Sequence, residues 1–290
     1  MQIITGKTKL LGIIGDPVEH SLSPVMQNAA INQLGLDYIY LPFPVQQENL
    51  ARAIAGFQAI DLIGFNVTIP HKQAIMPQLT EITSIAQIIG AVNTVWRTET
   101  GWKGTNTDVT GFIAPLKARS RNWSEMLPVV LGNGGAARAV VAGLAELGCS
   151  EINLVGRNKD KLATFYQSWQ NNPQITHLLK IHYWENLSEL FSTADLIVNT
   201  TPVGMYPHID RSPVEASLMK KLKSKAIAYD LIYTPSPTRF LSLAQEQNAV
   251  IIDGAEMLVQ QGASALEIWL QQPVPIDVMR KALLQQLSSY

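Results

Sequence analysis

Short apolar runs alternate with segments of helical periodicity along almost the whole chain. Runs at 10–15 (LLGIIG), 37–43, 62–67 (LIGFNV) and 92–96 (VNTVW) predict strands. Helical patterns occupy 24–34, 47–58 and 71–89, the last broken near Pro77 or Thr80, and a further helical stretch follows Asp108. The alternation resumes with strands at 128–131, 151–155, 195–199, 226–230 and 250–253. Helices are expected between them at 135–147, 159–169, 214–222 and 238–247, and two more, near 255–271 and 275–287, follow the last strand. Such βα alternation predicts an α/β fold: parallel sheets with helices on their faces. The turn-rich GTNTD at 104–108 and the polar RSRNWSEM at 119–126 separate two such units. The periodicity leaves open which unit the two final helices join.

Length agrees with two units, since 290 residues at roughly 150 per domain suggest about two. Charged residues make up only 16% of the chain and 22 basic residues nearly balance 23 acidic ones. That balance argues against a disordered chain or a nucleic-acid-coating protein, and no nucleic-acid or membrane partner is expected. No run reaches the roughly 18 apolar residues of a membrane span. The stretch after Lys7 and Lys9 is too short for a secretory segment, so no targeting peptide is expected. The single cysteine, Cys149, excludes an internal disulfide and fits a reducing cytoplasm. The five histidines lack metal-ligand spacing, and no metal is expected.

Residues 128–139, PVVLGNGGAARA, carry a G-x-G-x-x-A pattern between a strand and a helix. Gly132 permits the tight turn, Gly134 and Gly135 with Asn133 and Ala136 form the approach to a pyrophosphate, and Ala137 is small enough for helix–strand packing. The helix N-terminus adds free N–H donors and partial positive charge. A tight turn alone would explain the glycines, but strand–turn–helix context favours a dinucleotide. The second strand of an NAD site usually ends in an acidic residue that takes the ribose 2′-OH. Here it runs into Gly156-Arg157-Asn158-Lys159-Asp160-Lys161, whose cations suit the 2′-phosphate of NADP. Asp160 would keep NAD open if it turned inward, but it is expected in the first turn of the next helix.

In the first unit, Ser21-Leu22-Ser23-Pro24 reads as a helix start with Ser23 at the N-cap and Pro24 at N1. The same hydroxyls could receive a carboxylate. In NVTIPHK (66–72), Pro70 suits a first helical turn and places Lys72 in it. A cation there is opposed by the helix dipole, by ~0.3–1 kcal/mol, which is suggestive of a proton-transfer group. Taken singly, Asn93 could be a turn residue, Asp108 a cap, Gln261 a surface helix residue and Tyr233 a half-buried aromatic.

Seven motifs in order change that weighing: SLSP (21–24), NVTIPHK (66–72), GAVNT (90–94), GTNTD (104–108), GNGGAARA (132–139), YDLIY (229–233) and DGAEMLVQQG (253–262). Together they resemble the shikimate dehydrogenase family. The resemblance implies reversible reduction of 3-dehydroshikimate to shikimate with NADPH, on the route to aromatic amino acids. It implies an N-terminal α/β substrate domain, 1–108 with 255–290, and a Rossmann NADP domain, 109–254, with the active site in the cleft. Lys72 and Asp108 would be catalytic. Ser21 and Ser23 would take the substrate carboxylate. Thr68, Asn93 and Gln261 would bind ring hydroxyls alongside Lys72 and Asp108, and Tyr233 would lie at the substrate. Leu231 and Gly254 would meet the nicotinamide end. The ribose loop departs from the family's Asn-Arg-Thr with a second Arg: Arg157 survives, Asn158 replaces Thr, and Lys161 keeps charge without the planar fork. A homodimer through the N-terminal domain is a further implication. Two other readings stay open: an NAD-linked quinate/shikimate dehydrogenase, and a ligand-sensing relative without turnover.

Overall fold

The computed structural model describes residues 3–288. The described chain divides into two compact units, one ending at Gly111 and resuming at Leu258, the other spanning Phe112–Met257. No helix among the described residues is long and apolar enough to cross a membrane.

The first unit contains β1 (Lys9–Gly15), α1 (Ser23–Gln33), β2 (Tyr38–Pro44), α2 (Leu50–Ala59), β3 (Gly64–Val67), α3 (His71–Ala74), β4 (Glu81–Ile82), α4 (Ser84–Ile89), β5 (Thr94–Thr98) and β6 (Gly101–Thr105). Its sheet has the order β2-β1-β3-β5-β6-β4. The strands β1, β2 and β3 are parallel, as expected, but β5 runs antiparallel to both β3 and β6. The purely parallel sheet expected from the alternation is therefore corrected here. A tight turn at Glu99 and Thr100, closed by Gly101 at φ 140°, leaves no room for a crossover helix and makes β5 and β6 an antiparallel hairpin. The long helical pattern at 71–89 also resolves into α3, a 3₁₀ turn over Met76–Gln78, β4 and α4. Pro77 cannot continue the α-helical hydrogen bonding, so the segment changes direction at that turn.

The link to the second unit is α5 (Asp108–Lys117). The unit continues with β7 (Pro128–Leu131), α6 (Gly135–Glu146), β8 (Ile152–Gly156), α7 (Lys159–Gln167), α8 (Pro173–Thr176), β9 (Leu179–Tyr183), α9 (Leu187–Thr193), β10 (Leu196–Asn199), α10 (Ala216–Met219), β11 (Ile227–Asp230), α11 (Arg239–Gln245) and β12 (Val250–Ile252). All six strands are parallel, in the order β12-β11-β10-β7-β8-β9. Read from β9, this is the 3-2-1-4-5-6 order of a Rossmann sheet, with the switch point between β7 and β10. The buried runs PVVL, INLVG, LIVN and IAYD explain the centre of the sheet, since strands covered on both faces are apolar at most positions, and the polar exceptions Asn153, Asn199 and Asp230 are hydrogen-bonded.

The last two helices are α12 (Ala255–Leu270) and α13 (Ile276–Leu287). From Leu258 onward they belong to the first unit. The Trp269 indole N–H donates to the Val95 carbonyl at 2.9 Å, and Gln27 Nε2 donates to the Gly262 carbonyl at 2.9 Å. Gly64 makes this possible: a Cβ there would stand 2.2 Å from the indole nitrogen. Helix α13 packs on α1.

Candidate active site

Strand direction gathers the polar motifs of the first unit at one edge of its sheet. Strands β1 and β3 are parallel, so SLSP after β1 and TIPHK after β3 leave from the same carboxyl edge. The antiparallel β5 begins where β3 ends, with Asn66 opposite Thr94, and β6 ends where β5 begins, with Thr94 opposite Thr105. Asn93 and Asp108 therefore arrive at that edge as well. The carboxyl edge of such a sheet is where α/β folds bind ligands.

The contacts there are close. Lys72 Nζ donates to Asp108 Oδ2 at 2.5 Å. Asn93 Nδ2 donates to Asp108 Oδ1 at 2.8 Å and to Thr107 Oγ1 at 3.0 Å, and lies 3.4 Å from Gln261 Oε1. The side-chain oxygen of Asn93, Oδ1, accepts from the Thr107 N–H at 2.8 Å. Both ends of the Asn93 carboxamide are thus fixed. Asp108 is held through both oxygens, while its own N–H donates to Asn106 Oδ1 at 3.0 Å. As the first residue of α5 its carboxylate also faces the positive end of a ten-residue helix. Lys72 is positioned by the backbone, because its carbonyl accepts from the Val92 N–H at 2.8 Å. The Lys72 side chain is 22% exposed and that of Asp108 10%, so the pair is sheltered but reachable. A lysine donor beside a carboxylate is an arrangement suited to proton transfer. Gln261, which its sequence position marks as a surface helix residue by default, is buried, with Nε2 donating to the Leu258 carbonyl at 2.9 Å.

Ser23 is the first residue of α1, with Leu22 at the N-cap position, so the expected N-cap role of Ser23 is corrected. The cap position makes no side-chain bond; instead Ser21 Oγ accepts from the Ser23 N–H at 3.3 Å. Ser23 is buried and hydrogen-bonds Tyr40, whose hydroxyl donates to Asn66 Oδ1 at 2.7 Å. Asn66 Nδ2 donates in turn to the Asn93 backbone carbonyl at 3.0 Å. A buried polar chain therefore runs from Ser23 through Tyr40 and Asn66 to Asn93. Burial raises the Tyr40 phenol well above its ordinary range, so it remains a neutral donor. Thr68 is half-buried, with its carbonyl accepting from the His71 N–H at 2.9 Å. Pro70 is the N-cap residue of α3 and not part of its first turn, and α3 is a single turn of four residues whose last turn also holds Lys72, so the expected opposition of a helix dipole to Lys72 is corrected. Tyr233 lies in the second unit, half-buried in the turn-rich segment after β11.

The second unit presents its loops at the carboxyl edge of the parallel sheet. Gly132 leaves β7 at φ 104°, and a Cβ there would stand 2.8 Å from Thr200 Oγ1. Around Gly134 and Gly135 an added Cβ would meet nothing within 4 Å, so the backbone before α6 is open to an incoming group. Gly134 caps the twelve-residue α6 without a side-chain bond, leaving helix N–H donors for a ligand. Asn133 Nδ2 is buried with no partner among the described residues. Ala137 is fully buried, as helix–strand packing requires. These features fit a dinucleotide pyrophosphate.

Beyond β8, Arg157 lies on the face of Trp184, with Cζ 4.5 Å from the ring centroid, and Lys159 Nζ lies 4.6 Å from the Tyr183 centroid. Asn158 caps α7: its Oδ1 accepts from the Lys161 N–H at 2.9 Å. Lys161 is exposed in the first turn. Leu231 follows β11, its N–H donating to the Asn199 carbonyl at 3.2 Å. Gly254 must be glycine for close packing, since a Cβ would fall 2.1 Å from the Leu231 carbonyl oxygen. The two are thus neighbours. Sequence reasoning missed Tyr40, Asn66, Asn106, Thr107 and Trp184. Asn66, Asn106 and Thr107 lie inside the seven motifs, whereas Tyr40 and Trp184 carry no local signal.

Comparison with known proteins assigns the family. Residues 13–95 match the model of the shikimate dehydrogenase substrate binding domain, and residues 254–284 match that of the shikimate 5'-dehydrogenase C-terminal domain. Over 289 residues the chain is 63% identical to the shikimate dehydrogenase (NADP(+)) of Crocosphaera subtropica, covering 100% of both proteins. The chain belongs to the shikimate dehydrogenase family. Among solved family members, a shikimate dehydrogenase crystallised with NADP+ aligns at a TM-score of 0.89 and 39% identity, covering 98% of each chain. The shikimate 5-dehydrogenase of Thermus thermophilus, crystallised with NADP(H) and shikimate, aligns at 0.83 and 32% identity, covering 96% of this chain and 99% of its own.

Proposed function

We propose that this chain catalyses the reversible, NADPH-dependent reduction of 3-dehydroshikimate to shikimate, serving chorismate and aromatic amino-acid synthesis. The observation that carries the proposal is the Lys72–Asp108–Asn93 cluster at the carboxyl edge of the first sheet, in a chain 63% identical over its full length to an NADP-dependent relative. The first unit is read as the substrate domain and the second as the Rossmann NADP domain.

Bound NADP supplies or accepts a hydride at C4 of its nicotinamide. The protein's part is proton transfer and orientation. In reduction, the Lys72 ammonium donates a proton to the carbonyl oxygen as negative charge develops on it; in oxidation, neutral Lys72 takes the proton from the C3 hydroxyl. Asp108 holds Nζ in place and accepts from a substrate hydroxyl. Asn93, fixed at both ends, keeps that carboxylate from rotating. Thr68 and Gln261 bind ring hydroxyls, Ser21 and Ser23 receive the carboxylate, and Tyr233 contacts the substrate.

For the cofactor, Gly132, Asn133, Gly134, Gly135 and Ala136 would hold the pyrophosphate, with the unpartnered Asn133 amide as a donor. Arg157, Lys161 and the remaining amide group of Asn158 would bind the 2′-phosphate. Leu231 and Gly254 would border the nicotinamide. We assign the protein to the cytoplasm, and a homodimer through the first unit is part of the same reading.

The experiment is an oxidation assay of the purified protein with shikimate or quinate, each with NADP+ or NAD+. Turnover of shikimate with NADP+ far above the other three pairs is expected. Preferred turnover of quinate with NAD+ would replace the proposal, and tight binding of shikimate without turnover would reduce the protein to a sensor.

A further inference from the structure

We propose that Trp184 is the positioning residue for the 2′-phosphate site, a fixed platform that holds the Arg157 guanidinium ready for the anion. This deepens the nucleotide reading above and rests on it.

Strand register brings the two residues together. In the β8–β9 pair Gly156 lies opposite Tyr183, so Arg157 and Trp184 are the next residues to emerge, side by side, from the carboxyl edge. Trp184 opens a 3₁₀ turn over Trp184–Asn186 and packs against the core that contains Leu187 and Phe191. Its ring is anchored from behind, while the Arg157 guanidinium lies over it at 4.5 Å. Arg157 is exposed and has no acidic partner among the described residues.

The geometry has a chemical consequence. A guanidinium carries its five N–H donors in its plane, so stacking on a ring face consumes none of them. An anion can still be gripped by two parallel hydrogen bonds. A long, free arginine loses rotamer freedom when it clamps a ligand, and prior stacking removes part of that loss. The neighbouring pair of Lys159 over Tyr183 places a second cation on the same strand edge.

The test is calorimetric binding of two probes, adenosine 2′,5′-bisphosphate and 5′-AMP, to the wild-type protein and to Trp184→Met and Trp184→Phe. Methionine keeps apolar bulk against the core without an aromatic face; phenylalanine keeps a face. Trp184→Met should bind the bisphosphate about two- to five-fold more weakly and 5′-AMP as before, and Trp184→Phe should recover most of the loss. Equal weakening toward both probes would make Trp184 an adenine or folding residue and overturn the proposal, as would no weakening toward either. A wild-type protein that binds both probes equally would instead overturn the NADP reading itself. If Trp184→Met does not fold, the difference in tryptophan emission between wild type and Trp184→Phe decides. It should change on adding the bisphosphate and not on adding 5′-AMP; no response to the bisphosphate would contradict the platform.

Discussion

Lys72 donates to one oxygen of Asp108 across 36 residues of sequence, and the second oxygen of that carboxylate is held by Asn93. The carboxylate is therefore a fixed element that aims the lysine. Asp108→Asn keeps its shape and removes its charge. We expect kcat/KM for shikimate to fall by about 100-fold or more, with little change in thermal stability. A fall under threefold would show that Lys72 does not depend on this partner.

The chain from Ser23 through Tyr40 and Asn66 to Asn93 predicts a remote effect on substrate binding. Tyr40→Phe removes one hydroxyl and leaves buried Asn66 Oδ1 without its donor. Loss of about 1–3 kcal/mol of stability is expected. The KM for shikimate should rise several-fold while kcat stays within about twofold, since Tyr40 acts through Ser23 and not at the reacting atoms. An unchanged KM would exclude the coupling.

Arg157→Ala should raise the KM for NADPH by about 10- to 100-fold, the range of a lost charge-assisted hydrogen bond. The KM for NADH should move less than twofold. Equal changes for both cofactors would count against a 2′-phosphate contact.

Asp230 gives a pH-dependent stability. Burial is the main reason its carboxyl titrates at about 6, although bonds from Thr238, Ile232 and Asn199 pull the other way. From about pH 4 to about 6 the folded protein therefore keeps a proton that the unfolded chain has lost. Stability falls as pH rises through that window, and the full penalty, on the order of 3 kcal/mol, is present above it. Asp230→Asn has no such proton to lose. Its melting temperature should gain several degrees on that of the wild type between pH 4 and pH 7. Parallel curves would contradict a buried carboxyl of this kind.

Much of the fold was legible because central strands are near-continuous apolar runs: PVVL, and the Ile-Ala-Tyr that precedes Asp230, announce themselves. The edge strand β9 did not, because LKIHY buries only Leu179 fully and exposes most of the rest. The strand β6, GWKGT, was hidden likewise by two glycines and a lysine, and with it the hairpin that makes the first sheet mixed. In the site, Lys72, Asn93 and Asp108 could be named from their motifs, but the motifs say nothing of who holds whom. The clamp on Asn93 depends on strand register, which no local pattern encodes. Trp184 was out of reach for the same reason: only the pairing of β8 with β9 sets it beneath Arg157. Cys149 is buried, and burial pushes its thiol up to about 11, which suits an inert structural residue.

The decisive measurement is made on Lys72→Ala: kcat for shikimate oxidation with NADP+, together with the dissociation constant of shikimate measured by calorimetry. The proton-transfer role predicts a fall in kcat of about 10²–10⁴-fold. Shikimate should still bind within a few-fold of wild type. An unchanged kcat, or a loss of activity wholly explained by lost binding, would contradict Lys72 as the group that moves the proton.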